Sequence, residues 1–210
     1  MADKTKFDYF FQNGDNIFFT SDTHFYHENI INFCNRPFEN VNEMNEKLII
    51  EWNNIVPKDG LVFHLGDFAW GGYEKWKNVI EQLNGNIILI EGNHDRKNMT
   101  TKTKELFSSV AQQLYVKIEN RQVYMNHYPF LCYAGTYRNK EDMVYALNGH
   151  IHYGPLNKKG KDNERMNITF PTQYDVGVDM NNFKPITWKE LNEKIQTQIE
   201  NNTNMIQWIK

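Results

Sequence analysis

The sequence predicts an α/β domain in which two β-sheets pack together with helices outside. Three observations carry this. Between residues 16 and 91, strand-like and helix-like stretches alternate. From residue 114 the pattern changes to short alternating runs of the hairpin kind. Several apolar runs also stop abruptly at Asp, Asn or His, as strands do when they deliver polar groups to the edge of a sheet. With 210 residues, 40% hydrophobic and 14% aromatic, the chain suits a single domain over 1–210 with a sizeable core.

The first strand is the run 16–20, followed by the loop Ser21-Asp22-Thr23-His24. His27 to Cys34 forms a short helix, with Ile30, Ile31 and Phe33 apolar and Pro37 just beyond its end. A second helix begins near Asn42, read as its N-cap, with Glu43 in the first turn. Met44, Leu48, Trp52 and Ile55 give it one apolar face, and Pro57 stops it. Residues 61–65 are the next strand, ending in Gly66-Asp67. Tyr73, Trp76, Val79, Ile80 and Leu83 mark an amphipathic helix closed by Asn84-Gly85. The β-branched run 86–91 is a buried strand that stops at Gly92-Asn93-His94-Asp95.

In the second half Leu114, Val116 and Ile118 alternate with polar residues, as do Val123 and Met125. Residues 119–122 form the hairpin turn, and the second arm ends at Asn126-His127. Residues 144–147 are a strand ending in Asn148-Gly149-His150-Ile151-His152. A polar, basic loop follows over 153–167, then closing strands at 168–170 and 175–178. Thr187 with Glu190 makes a capping box for a last helix carrying Trp188, Leu191, Ile195 and Ile199. Trp52, Trp76 and Trp188 read as core.

The net charge of −3 gives no support to wholesale binding of nucleic acid or anionic membrane. Residues 1–6 are polar, with no apolar signal core behind them, and no apolar run approaches membrane-spanning length. Cys34 and Cys132 read as buried free thiols, which fits a reducing compartment and a cytoplasmic location.

Five strands thus end alike, in Asp22 with His24, in Asp67, in Asn93 with His94, in His127, and in His150 with His152. In an extended segment residues i and i+2 project to one side, so each pair can aim at one place. Oxygen and nitrogen donors without thiolate suit Mn, Fe, Zn, Ni or Co. The donors are too many for one tetrahedral ion and suit two ions bridged by one carboxylate. Two cations about 3.5–4 Å apart clamp a phosphate and share a hydroxide. His94, beside Asp95, is the candidate to protonate the leaving alkoxide.

Other residues carry less. His64 reads as a sheet histidine. His27 either caps its helix or faces substrate, and Arg36 is either a surface arginine or a phosphate contact. Lys158, Lys159, Lys161 and Arg165 form a solvated loop or steer an anion. Met205, Ile206, Trp208 and Ile209 are too apolar for a free tail; they fold back or meet a partner chain.

Asp22-x-His24, Gly66-Asp67, Gly92-Asn93-His94-Asp95, His127 and Gly149-His150-x-His152, in that order, resemble the calcineurin-like metallophosphoesterase superfamily. The closing Val176-Gly177-Val178-Asp179 is similar as well. The text around Ser21 to Ile31, with Asn35 to Phe38, looks like a group of small phosphoesterases from bacteria and their phages. Trp70 departs from the pattern, standing where many relatives carry Asp, Asn or Arg, and Asn126 stands where Gly or Ser is common.

The resemblance implies a four-layer fold, a double β-sheet sandwich flanked by helices. It implies that Asp22, His24 and His152 hold one divalent ion and Asn93, His127 and His150 the other. Asp67 bridges them, His94 is the general acid, and Asp95 holds His94 in place. The ions are manganese first, with Fe, Zn, Ni, Co or Mg as alternatives. The implied reaction is attack by a metal-bridged hydroxide on a phosphoester, a nucleotide-type phosphodiester before a monoester; nucleotides and nucleic-acid ends are candidate substrates. A phosphomonoesterase or protein phosphatase, and a non-catalytic scaffold of the same fold, are the alternatives. Scaffold relatives lack ligands, and none is missing here.

Overall fold

A computed structural model describes residues 7–135, 143–152, 154, 156 and 169–201. The basic cluster Lys158, Lys159, Lys161 and Arg165, the apolar residues Met205, Ile206, Trp208 and Ile209, most of the 153–167 loop and residues 1–6 lie outside them.

Among the described residues, two five-stranded sheets form the centre. In one, β2 (Ile17–Thr20), β3 (Leu61–His64), β4 (Asn86–Ile90) and β5 (Ser109–Ala111) run parallel, and β10 (Ile186–Thr187) pairs antiparallel with β2. The other holds β1 (Tyr9–Phe11), β6 (Gln113–Ile118), β7 (Arg121–Asn126), β8 (Tyr145–Asn148) and β9 (Gln173–Asp175), in the order β1-β6-β7-β8-β9. The described helices are α1 (Asn29–Cys34), α2 (Val41–Ile55), α3 (Tyr73–Ile80), α4 (Asp95–Asn98), α5 (Thr101–Lys104) and α6 (Trp188–Asn201).

The parallel strands are apolar at successive positions because both faces of their sheet are covered. Phe19, Phe63 and Ile88 share one register line and face inward, against Val116, Val123, Met125 and Leu147 of the second sheet. Phe18, Val62, Ile87 and Leu89 face outward, onto Leu48 and Trp52 of α2 and Trp76 and Val79 of α3. Helix α6 adds Trp188, Leu191 and Ile195 to the inner core. It packs on β10, β2 and β9, and its Asn192 accepts from the Tyr145 hydroxyl at 2.7 Å.

Several expectations shift. Asn40, not Asn42, caps α2: its side chain accepts the amides of Asn42 and Glu43, both at 3.0 Å. Helix α3 ends at Ile80 instead of Leu83. The hairpin turn shrinks to Glu119-Asn120, because Ile118 already pairs with Arg121 and Glu119 takes a left-handed φ of 54°. Thr169 and Phe170 are not a strand; pairing begins after Pro171, which lacks a ladder N–H, and β9 spans Gln173–Asp175. Cys132 is exposed, while Cys34 is buried as expected. The capping box holds reciprocally, with Thr187 and Glu190 each accepting the other's amide at 3.1–3.2 Å.

Candidate metal centre

The parallel arrangement decides where the polar loops go. β2, β3 and β4 all exit at one edge of their sheet, and β7 and β8, parallel to each other, exit at one edge of theirs. A Ser21–Gly177 bridge joins the two edges, with the Val178 amide donating to Ser21 O at 3.0 Å. The loops brace one another: Asp22 N–H donates to Gly66 O at 2.9 Å, His24 N–H to Asp67 O at 3.0 Å, and Gly149 N–H to His127 O at 3.0 Å.

The donor pairs converge, but not through extended backbone. Asp22, His24, Asp67, His150 and His152 all take left-handed φ, between 50° and 72°. Left-handed backbone is uncommon outside Gly, and Asp and His tolerate it better than most. Five such residues in one cluster are local strain held at a functional place by the cross-braced loops. Two glycines make the approach possible. A Cβ on Gly92 would collide with Asp67 Oδ1, and one on Gly149 with Ser21 Oγ and Asp22 Oδ2.

Two groups of three donors result. Asp22, His24 and His152 bring one ligating atom each within 4.8 Å of one another, and so do Asp67, His127 and His150. Asn93 joins the second group, its Oδ1 at 3.0 Å from His127 Nε2. Asp67 lies between the groups: its Oδ2 is 3.6 Å from His24 Nε2 and 3.5 Å from His127 Nε2. Asp22 Oδ1 and His24 Nε2 are buried with no hydrogen-bond partner among the described residues. Buried polar atoms are ordinarily satisfied, and a cation between these donors supplies what they lack. The residues present therefore fit two divalent ions.

Neighbours orient the imidazoles. His127 Nδ1 donates to Leu65 O at 2.8 Å, which turns Nε2 toward Asp67 and Asn93. His152 Nδ1 donates to Asp179 Oδ2 at 2.8 Å, which turns its Nε2 toward Asp22, 3.7 Å away. Such partners fix the tautomer and aim of ligating histidines. Asp179 is held in turn by Arg36, whose Nε and a terminal nitrogen both donate at 2.8 Å. Arg36 also donates to the carbonyls of Asp22 and Thr23, at 2.7 and 3.0 Å. It is buried, neither a surface arginine nor a substrate contact. Burial disfavours both charges of this pair, yet each stabilises the other: Asp179 is held down to about 2, and Arg36 is raised. Asp179 stood in the closing motif, but nothing local pointed to its role.

Asp95 does not hold the His94 ring. Helix α4 starts at Asp95, and its carboxylate accepts the amides of Asp67 at 2.7 Å, Gly92 at 2.8 Å and Phe68 at 2.9 Å. Burial and the adjacent Asp67 push it up to about 7, against those three donors. His94 Nδ1 has no partner among the described residues. His94 is instead placed by its backbone, whose amide donates to Asp67 Oδ1 at 2.8 Å. His64 is the expected sheet histidine. Gly66 N–H donates to its Nδ1 at 3.3 Å, so its Nε2–H donates to Thr23 Oγ1 at 3.0 Å, and that hydroxyl donates in turn to Phe68 O at 2.8 Å. His27 does not cap α1, whose N-cap is Glu28; it joins His24, Asp67, Asn93, His94 and His152 around a cleft of about 300 Å³.

No described helix is long and apolar enough to cross a membrane. Among solved structures, the chain is similar to a protein of unknown function from Aquifex aeolicus, with TM-score 0.62 and 26% identity over 84% of this chain and 97% of that one. An archaeal phosphodiesterase aligns at TM-score 0.42 and 23% identity, over 66% of this chain and 74% of the other. In sequence, an uncharacterized protein of Methanocaldococcus jannaschii is 34% identical over 173 residues, 81% of this chain and 86% of the relative. The model of the calcineurin-like phosphoesterases matches residues 6–199, a span that takes in every donor described above, and the chain belongs to that family.

Proposed function

We propose that the protein is a dinuclear metal-dependent phosphohydrolase acting on phosphodiesters of nucleotide type. The observation that supports it best is the place of Asp67, between two donor groups that contain buried, unpartnered ligand atoms. Asp22, His24 and His152 would hold one ion and Asn93, His127 and His150 the other, with the Asp67 carboxylate facing both groups. When bound, such ions offset charge on the phosphoryl oxygens and lower the pKa of a water beside them. A water oxygen would attack phosphorus as the ester P–O bond breaks, and this chain's part in that step is the His94 ring, which would give a proton to the leaving oxygen. His94 lines the cleft with its ring centroid 5.2 Å from that of His24. Asp95 is a positioning residue: it fixes the amides of Asp67 and Gly92, and with them the loop that carries His94. Manganese suits the N/O donor set, with Fe, Zn, Ni, Co or Mg as competitors. Two free cysteines support a cytoplasmic location. No long cap domain is inserted between the motifs in the sequence, so the cleft reads as open, and the diester preference rests on analogy with open sites of this fold.

The test is hydrolysis of bis-p-nitrophenyl phosphate against p-nitrophenyl phosphate by metal-stripped protein, with Mn²⁺, Ni²⁺, Zn²⁺ or Mg²⁺ added back. The expected result is metal-dependent turnover that favours the bis-ester. Preference for the monoester overturns the diester assignment in favour of a phosphomonoesterase or protein phosphatase. Two ions bound per chain with no turnover of either ester points to a scaffold.

A further inference from the structure

Beside the cleft stand aromatic rings that hydrolysis itself does not require: Phe33 lines it, and Trp70 and Tyr128 lie against its lining residues His27, His94 and His150. On the His94 side, the Trp70 indole lies nearly parallel to the His27 ring, 4.8 Å between centroids and 21° between planes. Phe33 of α1 meets the same ring edge-on at 6.4 Å. Trp70 and His27 stand 5.6 and 5.8 Å from His94. On the other side, Tyr128 stands edge-on to His150 at 4.7 Å and to His127 at 5.0 Å. These rings are not core. Trp70 and Tyr128 are each 38% exposed and Phe33 is 68% exposed, whereas Trp52, Trp76 and Trp188 are buried. A phosphate group alone uses none of them.

The two flanks sit beside different chemistry. Trp70 and Phe33 lie near the residue that protonates the leaving oxygen. Tyr128 lies beside the opposite donor group. A phosphomonoester has one organic substituent and can touch one flank; a diester has two and can touch both. Nucleobases stack on aromatic side chains whatever their sequence, because every base has a π-face. The net charge of −3 argues against a long backbone tracked by cations.

On the hydrolytic reading above, we propose that the substrate is a dinucleotide-sized phosphodiester. The base on the leaving side stacks on the Trp70–Phe33 flank, and the base on the retained side stacks on Tyr128.

Two alkyl diesters test this, thymidylyl-thymidine and glycerophosphoethanolamine. Their leaving alkoxides are comparable, and only the first carries rings. The wild-type ratio of kcat/KM for the first over the second is expected to exceed ten. Trp70→Leu and Tyr128→Leu should each cut that ratio by roughly tenfold or more, chiefly through KM, and Trp70→Phe should restore most of it. An equal fall on both substrates makes Trp70 a prop for His94 and overturns the proposal, as does a ratio unmoved by either variant. Binding is read separately, by quenching of tryptophan fluorescence with thymidine 5′-monophosphate in the presence of Mg²⁺. Trp70 is the exposed tryptophan among those described, so the quench should be lost in Trp70→Phe. A wild-type protein that shows this quench but cleaves no ester refutes the hydrolytic reading and leaves the base platform standing. Turnover without the quench does the reverse.

Discussion

At the scale of single residues, the donor set separates, on the proposed reading, into groups that would hold ions and groups that hold those donors in place. Asp67→Ala and His127→Ala should each lose bound metal and activity together, read by metal content and turnover on the same preparation. His94→Ala should keep its metal and lose rate most on esters with poor leaving groups; loss of metal there would remove His94 from the acid role. Asp179→Ala should act at a distance from substrate. It frees His152 Nδ1 and strands a buried Arg36 that now donates twice to it. Removing one partner of such a pair costs about 3–5 kcal/mol, and freeing a ligating imidazole costs about 10–100-fold in metal affinity. Urea unfolding of the metal-free protein and a metal titration read the two losses apart. The convergence of the candidate donors was legible, because a single strand-end His is ordinarily structural but five apolar runs ending alike in Asp, Asn or His are not a coincidence. Arg36 and Asp179 were not, because their contact spans 143 positions and an arginine between two loops looks like surface. The adjacency of His94 and Asp95 misled for a related reason: where α4 begins, the backbone turns the carboxylate toward three amides and away from the ring.

At the scale of elements, β3 carries a titration that the metal does not share. His64, wholly buried, is held neutral by burial above all, with a value of about 3. The unfolded chain takes up this proton near pH 6.5. Between pH 6.5 and about 3 the unfolded state therefore binds more protons than the folded one, and stability falls as pH drops through that window. Above pH 6.5 the contribution is complete and flat. The loss reaches about 5 kcal/mol at most. Asp95 and Asp175, pushed up to about 7 and about 8 by burial, take up protons in the folded state over the same range and act in the opposite sense. The test is therefore a difference: the urea midpoint of the metal-free protein minus that of His64→Gln should fall from pH 7.5 through 5.5 to 4.5 with a slope of about one proton. His24 and His27 move in the same direction through burial, so the difference between the two proteins isolates His64. Helix α2 offers a second check: Asn40→Ala removes an acceptor for two amides and should cost about 1 kcal/mol, with Asn42→Ala nearly silent. The 3.6-residue period made α2, α3 and α6 legible, but their ends depend on which of several polar residues reaches the amides. Strands β1, β5 and β10 have two or three residues each and no period to read.

At the scale of the whole molecule, the proposed ions would tie two sheets together. Their donors come from loops after β2, β3 and β4 in one sheet and after β7 and β8 in the other, and in the polypeptide itself these edges meet through the Ser21–Gly177 bridge. That both sheets send candidate donors to one place was legible in the order of the motifs. The strand order within each sheet was not, since β1 pairs with β6 and β10 with β2 through contacts that no local pattern specifies. Ligation across the interface would make metal binding a folding term. At a free-ion concentration of 100 Kd it contributes about 2.7 kcal/mol per site to the native state alone. For a domain of this size that corresponds to a rise in Tm of about 5–10 °C. Chelator should remove the rise and added Mn²⁺ restore it. Asp67→Ala should abolish it, since that carboxylate faces both donor groups. His94→Ala should retain it. Hydrogen exchange adds the spatial test: with metal, amides around Gly66, Gly92 and Gly149 should gain protection together, because each lies in a different donor loop. Protection confined to one sheet would mean that the ions bind there without spanning the interface, and Asp67 would then be an ordinary ligand of one ion instead of the bridge between two.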